Sequence, residues 1–308
     1  MAKLMIPAFL SAKLTTLILG AIGYHRICEI TEWGNSHIAN NNSYNLMSKI
    51  ISVLTALLLV SSNLFAINPE RTYQYTPSQY GLRCKTLSVD TEDGATLSVW
   101  HIPAKRHAKR ATPIIIANSD AGNMGYWSNL AYYLNYLDYD VWMFDWRGFG
   151  GSSDFETKRE RLFYTEYVKD LKAVVERVYQ NRKQSVVLIG YSMGTLVIEE
   201  YLKQYPHSNI SATILDGYVG NPHPFVSNMA KQGKQVELPK GYEFNDTPID
   251  VPTLVVSAKM DSNCPKENIP LLNEKIKVVE YDCGHIMALS TFPDEYITDI
   301  HTFIQGVR

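Results

Sequence analysis

Three residues spaced along the second half of this 308-residue chain could together break an acyl bond. Ser192 lies in Gly190-Tyr191-Ser192-Met193-Gly194, directly after the aliphatic run SVVLIG (185–190) and directly before the helix-like stretch GTLVIEEYLKQY (194–205). A strand that turns sharply into a helix at a serine needs small residues two positions either side, because larger side chains would strike the backbone. The hydroxyl is then left exposed, with a helix N-terminus aimed at the reacting centre. A serine hydroxyl is a weak nucleophile at neutral pH and needs a base, which in turn needs an orienting acid. Asp261 follows the apolar run PTLVVSA (252–258), and His285 follows IKVVEYD (276–282), so each stands just past a predicted strand. Asp216, at the end of NISATILDG (209–217), is the reserve acid. The other histidines have weaker claims: His101 ends an early strand, His207 follows a helix and His301 lies within one.

Those strands belong to an alternating series. KTLSVDT (85–91) and ATLSVWHI (95–102) read as antiparallel strands joined across EDG. TPIIIAN (112–118) and YDVWMFDW (139–146) are further strands, with YWSNLAYYLNYL (126–137) a helix between them. Residues 162–181 carry apolar residues at helical spacing, and a terminal helix is predicted over 293–305. Continuous β-branched runs alternating with helices imply an α/β fold whose mostly parallel sheet is buried on both faces. In such sheets ligands sit beyond the carboxyl ends of the strands, where all three candidate residues fall.

Composition narrows the class. Hydrophobic residues make up 45% and charged residues 19%, as in a folded globular chain. A net charge of −2 gives no electrostatic reason for a nucleic-acid partner. The basic run KRHAKR (105–110) reads as a solvated loop. KIISVLTALLLVSSNLFA (49–66) has the order of a secretory signal peptide, and its apolar core is short for a membrane span. With Met47 as a start, residues 1–46 are an extension and 47–66 a signal peptide; with Met1 as the start, 14–24 and 50–65 are membrane-associated segments. Either reading puts a 67–308 domain outside the cytosol (periplasmic or secreted) or on a membrane. No cysteine pair has the spacing of a metal or redox motif.

From about residue 82 onward the chain resembles the α/β-hydrolase superfamily, through SDAGNMGYW (119–127), FDWRGFGGS (144–152), GYSMG (190–194), KMD (259–261) and CGH (283–285). It is most similar to the small-lidded serine hydrolases there, the Bem46-like and ABHD-type lipases and thioesterases. The resemblance implies a catalytic triad of Ser192, His285 and Asp261, with no cofactor and no metal. It also implies that backbone N–H groups of Met193 and Asp120 hold the oxyanion. Asn118-Ser119 stands where the family has His-Gly, and Asp120 where Asn is common. Ser119 lacks glycine's access to positive φ, and a carboxylate on Asp120 would repel a developing oxyanion. Asp120 is therefore expected either to turn away or to weaken the hole.

Arg147 and Asp145 are expected to brace loops, and Tyr126, Trp127 and Tyr191 to meet substrate. The stretch 217–250 is too short for a multi-helix cap, which implies an open site suited to acyl esters, lipids or thioesters. Cys264 and Cys283 flank the acid and base loops, and a disulfide between them would tie those loops together. The expected function is a serine hydrolase of carboxylic esters or thioesters. A peptidase or amidase with the same triad, and a catalytically silent binding protein, remain open.

Overall fold

The computed structural model describes residues 67–106, 111–206, 209–269 and 274–307, all within one compact unit, Asn63–Arg308. The predicted extension and signal or anchor segment lie outside the described residues, as does most of the basic loop. In chain order the elements are β1 (Asn68–Pro69), β2 (Lys85–Asp90), β3 (Thr96–Ile102), β4 (Pro113–Ala117), β5 (Ala121–Gly122), α1 (Ser128–Tyr136), β6 (Asp140–Phe144) and α2 (Glu166–Arg182). They continue with β7 (Val186–Tyr191), α3 (Met193–Gln204), β8 (Ile210–Asp216), α4 (Pro222–Lys231), β9 (Thr253–Ala258), β10 (Ile276–Tyr281), α5 (Ala288–Thr291) and α6 (Pro293–Gly306).

Eight strands form one sheet in the order β10-β9-β8-β7-β4-β6-β3-β2. Pairing is parallel from β10 to β6, and antiparallel only where β3 meets β6 and β2. β4, β6, β7 and β9 are buried along their whole length, which is why their sequences read as unbroken apolar runs. The pleat divides them. Ile115, Leu188 and Val255 pack on the face covered by α2 and α3, while Ile114, Ile116, Val187 and Ile189 pack on the face covered by α1 and α6. Each such buried aliphatic side chain contributes about 1.5–3 kcal/mol. Among the described residues no helix is long and apolar enough to cross a membrane.

The 217–250 stretch holds a single ten-residue helix, α4, begun by Pro222 and capped by Asn221, whose side chain accepts from the His223 N–H at 3.0 Å. Only Pro222 and Met229 of that helix are buried, so it lies on the body as a thin cover.

Arg147 and Asp145 brace the loops beyond β6. Arg147 Nε and Nη2 donate to Asp170 Oδ1 of α2 at 2.9 and 2.7 Å, and Nη1 and Nη2 donate to Asp93 in the β2–β3 turn at 2.9 and 2.8 Å. Asp145 accepts from the N–H groups of Met124 (2.8 Å) and Gly151 (3.1 Å) and from the Tyr73 hydroxyl. A Cβ on Gly150 would fall 1.9 Å from that carboxylate, so only glycine fits there. Removing one partner of a buried pair strands the other charge, at about 3–5 kcal/mol. Arg147→Ala should therefore lower the urea midpoint of the chain by the equivalent of that loss. An unmoved midpoint would show that the network holds nothing together.

Candidate active site

Ser192 joins β7 to α3 with φ 50° and ψ −114°, a backbone conformation that costs a non-glycine residue about 1–3 kcal/mol. Its surroundings hold it there. A Cβ on Gly190 would come within 2.6 Å of Ile198 Cδ1 and 3.0 Å of the Gly194 backbone. A Cβ on Gly194 would strike the carbonyl oxygens of Ala117 and Asn118 at 2.5 and 2.7 Å. The helix therefore sits flush against the ends of β4 and β7 only because both positions are glycine. The Ser192 N–H donates to the Asp216 carbonyl at 2.9 Å, and the Thr195 N–H and hydroxyl donate to the Ser192 carbonyl at 2.9 and 2.6 Å.

The structure brings the other two predicted residues to this turn. His285 Nε2 lies 2.8 Å from Ser192 Oγ, and His285 Nδ1 lies 2.5 Å from Asp261 Oδ2. The second Asp261 oxygen accepts from the N–H groups of Asn263 and Cys264, both at 3.0 Å. An ionised acid can only accept, so the proton belongs on Nδ1 and leaves Nε2 to accept from the serine hydroxyl. The two loops are joined beyond the paired strands by Lys259 N–H to Tyr281 O at 2.9 Å and Met260 N–H to Cys283 O at 3.1 Å. Gly217, at φ 65°, makes room for the imidazole, since a Cβ there would sit 2.6 Å from His285 Cε1.

The remaining predicted residues are placed less uniformly. Met193 opens α3, so its N–H has no partner within the helix. Asp120 is partly buried at the turn after β4, and its carboxylate feels the charge of His285. Ser119 does not take a left-handed backbone, and the positive φ of that turn is at Gly122 (76°). Asn118 Oδ1 accepts from the Ser119 N–H at 2.9 Å and from Trp127 Nε1. Trp127 and Tyr191, expected at the substrate, are core residues instead. Their rings stack at 3.6 Å between centroids, and the Tyr191 hydroxyl bonds the Tyr296 hydroxyl at 2.8 Å. Tyr126 is exposed. Cys264 and Cys283 are free thiols packed in separate hydrophobic clusters, so no disulfide ties the acid and base loops.

Residues 112–246 match the model of the alpha/beta hydrolase fold family. An esterase from Pyrococcus furiosus superposes with a TM-score of 0.65 at 20% identity, covering 78% of this chain and 97% of that one. The chain has the α/β-hydrolase fold. An esterase from Exiguobacterium antarcticum shares the fold at a TM-score of 0.52 and 18% identity, over 72% of this chain and all of its own (100%). By sequence, this α/β-hydrolase-fold chain is 32% identical over 139 residues to a probable lysophospholipase L2 of Haemophilus influenzae, covering 42% of this chain and 44% of that protein. It thus spans less than half of that relative's length. It is 26% identical over 211 residues to the uncharacterized protein YfhR of Escherichia coli K12, covering 67% of this chain and 72% of that one.

Electrostatically, the hydrolase-fold site is one imidazole among three carboxylates. Burial opposes a charge on His285, but the Asp261 hydrogen bond and charge, with Asp120 and Asp216 behind, hold its pKa above the usual imidazole range. Burial would raise Asp261, but His285 and the two backbone N–H groups hold it below the usual carboxylate range. Asp216, the reserve acid, is fully buried and pushed up to about 7. It accepts from the Tyr296 hydroxyl at 3.0 Å, a partner that nothing in the sequence had marked. Burial also pushes Asp120 up to about 6.

Asp261, Cys264 and His285 bring three metal-ligating atoms within 4.8 Å of one another. Both Asp261 oxygens and His285 Nδ1 are committed to hydrogen bonds, so this set reads as an acid–base pair beside a thiol.

A base must be neutral to accept a proton, and a raised pKa keeps His285 charged to higher pH. Any Ser192-dependent turnover should therefore fall as pH drops through a midpoint above about 6.5, the ordinary imidazole value. The kcat/KM profile for an uncharged p-nitrophenyl ester measures it. A midpoint at or below 6.5 would mean that the carboxylates do not act on the ring.

Proposed function

We propose that the protein is a serine hydrolase of carboxylic esters, with lipid-like or small acyl esters as its substrate class and thioesters as chemically equivalent substrates. The observation that carries this reading is the relay from Ser192 Oγ to His285 (2.8 Å) and from His285 to Asp261 (2.5 Å). Ser192 Oγ attacks the acyl carbon while His285 Nε2 takes its proton, and Asp261 stabilises the imidazolium. His285 then returns the proton to the leaving alcohol, and water repeats the sequence on the acyl-enzyme. The N–H groups of Met193 and Asp120 stabilise the oxyanion. The short cover formed by α4 favours substrates that approach from an open surface.

The esterases of similar fold and the lysophospholipase relative support an ester bond. The five sequence motifs support placement among the small-lidded Bem46-like and ABHD-type hydrolases. The apolar run at 50–60 supports an exported or membrane-anchored setting. One feature favours a catalytically silent binding protein instead: a carboxylate stands at position 120, where the oxyanion donor is expected, and would repel a developing negative charge.

Fluorophosphonate labelling of the full chain, with p-nitrophenyl esters run alongside, separates the two readings. We expect labelling and turnover that vanish in Ser192→Ala. Asp261→Asn should lower kcat by about 10⁴-fold, whereas Asp216→Asn, which keeps an acceptor for Tyr296, should retain most of it. A folded wild-type chain that neither labels nor turns over ester would leave the binding-protein reading standing.

A further inference from the structure

We propose that Cys264, His285 and Asp261 form an inhibitory site for a thiophilic divalent cation, Zn²⁺ above all, which silences the hydrolase by capturing its imidazole. The inhibition rests on the ester-hydrolase reading above; the binding does not.

One ligand atom from each of the three residues lies within 4.8 Å of the other two. The backbone already ties their two loops together, through Lys259 N–H to Tyr281 O at 2.9 Å and Met260 N–H to Cys283 O at 3.1 Å. The Cys264 N–H donates to Asp261 Oδ1 at 3.0 Å, so thiol and carboxylate belong to one tight turn. Asp261 Oδ2 meets His285 Nδ1 at 2.5 Å. Zinc bonds of about 2.0–2.3 Å put tetrahedral ligand atoms roughly 3.3–3.8 Å apart. Carboxylate and imidazole must therefore part by roughly 1 Å while the thiol closes by a similar amount, shifts that side-chain rotation supplies. The hydrogen bond between the pair is no bar, because the cation takes the place of the Nδ1 proton between the same two atoms.

The donor set selects the cation. A thiolate, an imidazole and a carboxylate suit Zn²⁺, whereas Mg²⁺ and Ca²⁺ take oxygen ligands. Negative charge is in surplus here. The Asp120 and Asp216 carboxylates act on His285 as well as Asp261, and those of Asp261 and Asp120 act on Cys264. Among the described residues none of these three carboxylates forms an ion pair with Lys or Arg. The way in is along the imidazole, whose side chain is 31% exposed against 1% for Asp261.

Capture would remove the base. Binding releases the thiol proton to solvent and leaves Cys264 Sγ on the metal as a thiolate. A neutral imidazole keeps one proton, and with the metal on Nδ1 that proton must sit on Nε2. Nε2 would then donate toward Ser192 Oγ, 2.8 Å away, where proton transfer needs it to accept. Asp261, held in the same complex, would no longer direct the ring. The cation is thus an inhibitor and supplies no step of the reaction.

The test titrates the full chain with Co²⁺, a spectroscopic stand-in for Zn²⁺, and follows p-nitrophenyl ester hydrolysis against free Zn²⁺. We expect thiolate-to-cobalt charge-transfer absorption in the wild type and in Cys283→Ala, and none in Cys264→Ala or Cys264→Ser. The serine variant keeps the side-chain volume should the alanine variant fail to fold. Losing a ligand costs more than losing an outer partner, so half-inhibition should need at least about a hundredfold more Zn²⁺ in Cys264→Ser, each chain being compared with its own rate without metal. Cobalt absorption that is missing from a folded wild type, or that survives in the Cys264 variants, would overturn the site. Full turnover by a wild type saturated with Zn²⁺ would overturn the capture of the base, as would equal inhibition by Mg²⁺. Absorption that depends on Cys264 in a chain with no ester turnover would support the site and sink the hydrolase reading.

Discussion

The close approach of α3 to the ends of β4 and β7 sets everything else in the site. It exists because Gly190 and Gly194 put no side chain between helix and sheet. The strained backbone of Ser192 is the geometric consequence: a chain that leaves a buried strand and enters a helix in one residue must pass through positive φ. The strain is offset by the hydrogen bonds that the turn makes to Asp216 and Thr195. The approach that fixes the Ser192 turn also sets the N-terminus of α3, with the Met193 N–H, beside Asn118, and Ser192 itself stays buried. The candidate nucleophile and a candidate oxyanion donor are therefore products of one packing event.

Three carboxylates surround His285, and their surroundings make them different groups. Asp261 has two backbone donors and the imidazole, so it stays ionised and directs the ring. Asp216 sits deeper, under Tyr296 and Tyr191, where burial pushes it toward neutrality and its carbonyl, not its carboxylate, serves the nucleophile turn. Asp120 is half-buried and is the member of the set that follows β4, two residues before Gly122. Environments that push like groups apart in this way assign their roles.

Much of this was legible in the chain itself. β4, β6, β7 and β9 are buried on both faces and so announce themselves as apolar runs, and Ser192, Asp261 and His285 stand just past strand ends where the fold puts chemistry. What could not be read depends on contacts that leave no periodic trace. Asp216 and Tyr296 are 80 residues apart, and Tyr191 and Tyr296 are 105 apart. Tyr191 looks like a pocket residue because it adjoins the nucleophile, but its side chain points into the core where Trp127 covers it. The two-residue β1 is too short to show a pattern. Ser119 looked incompatible with its turn because a glycine was assumed necessary there, whereas its backbone does not take a positive φ.

The turn after β4 is held by its hydrogen bonds. In place of a glycine at 119, the chain uses hydrogen bonds. Asn118 Oδ1 holds the Ser119 N–H and Trp127 from within, while β1 holds the turn from outside through Asn68 N–H to Asp120 O and Glu70 N–H to Gly122 O, both at 2.8 Å. β1 is parallel to β5, so this outer clamp is set by the segment that also carries Glu70 and leads to Tyr75. The position of the turn that follows β4 is therefore set by a segment of chain about 50 residues away in sequence, through backbone hydrogen bonds that almost any residue type could make.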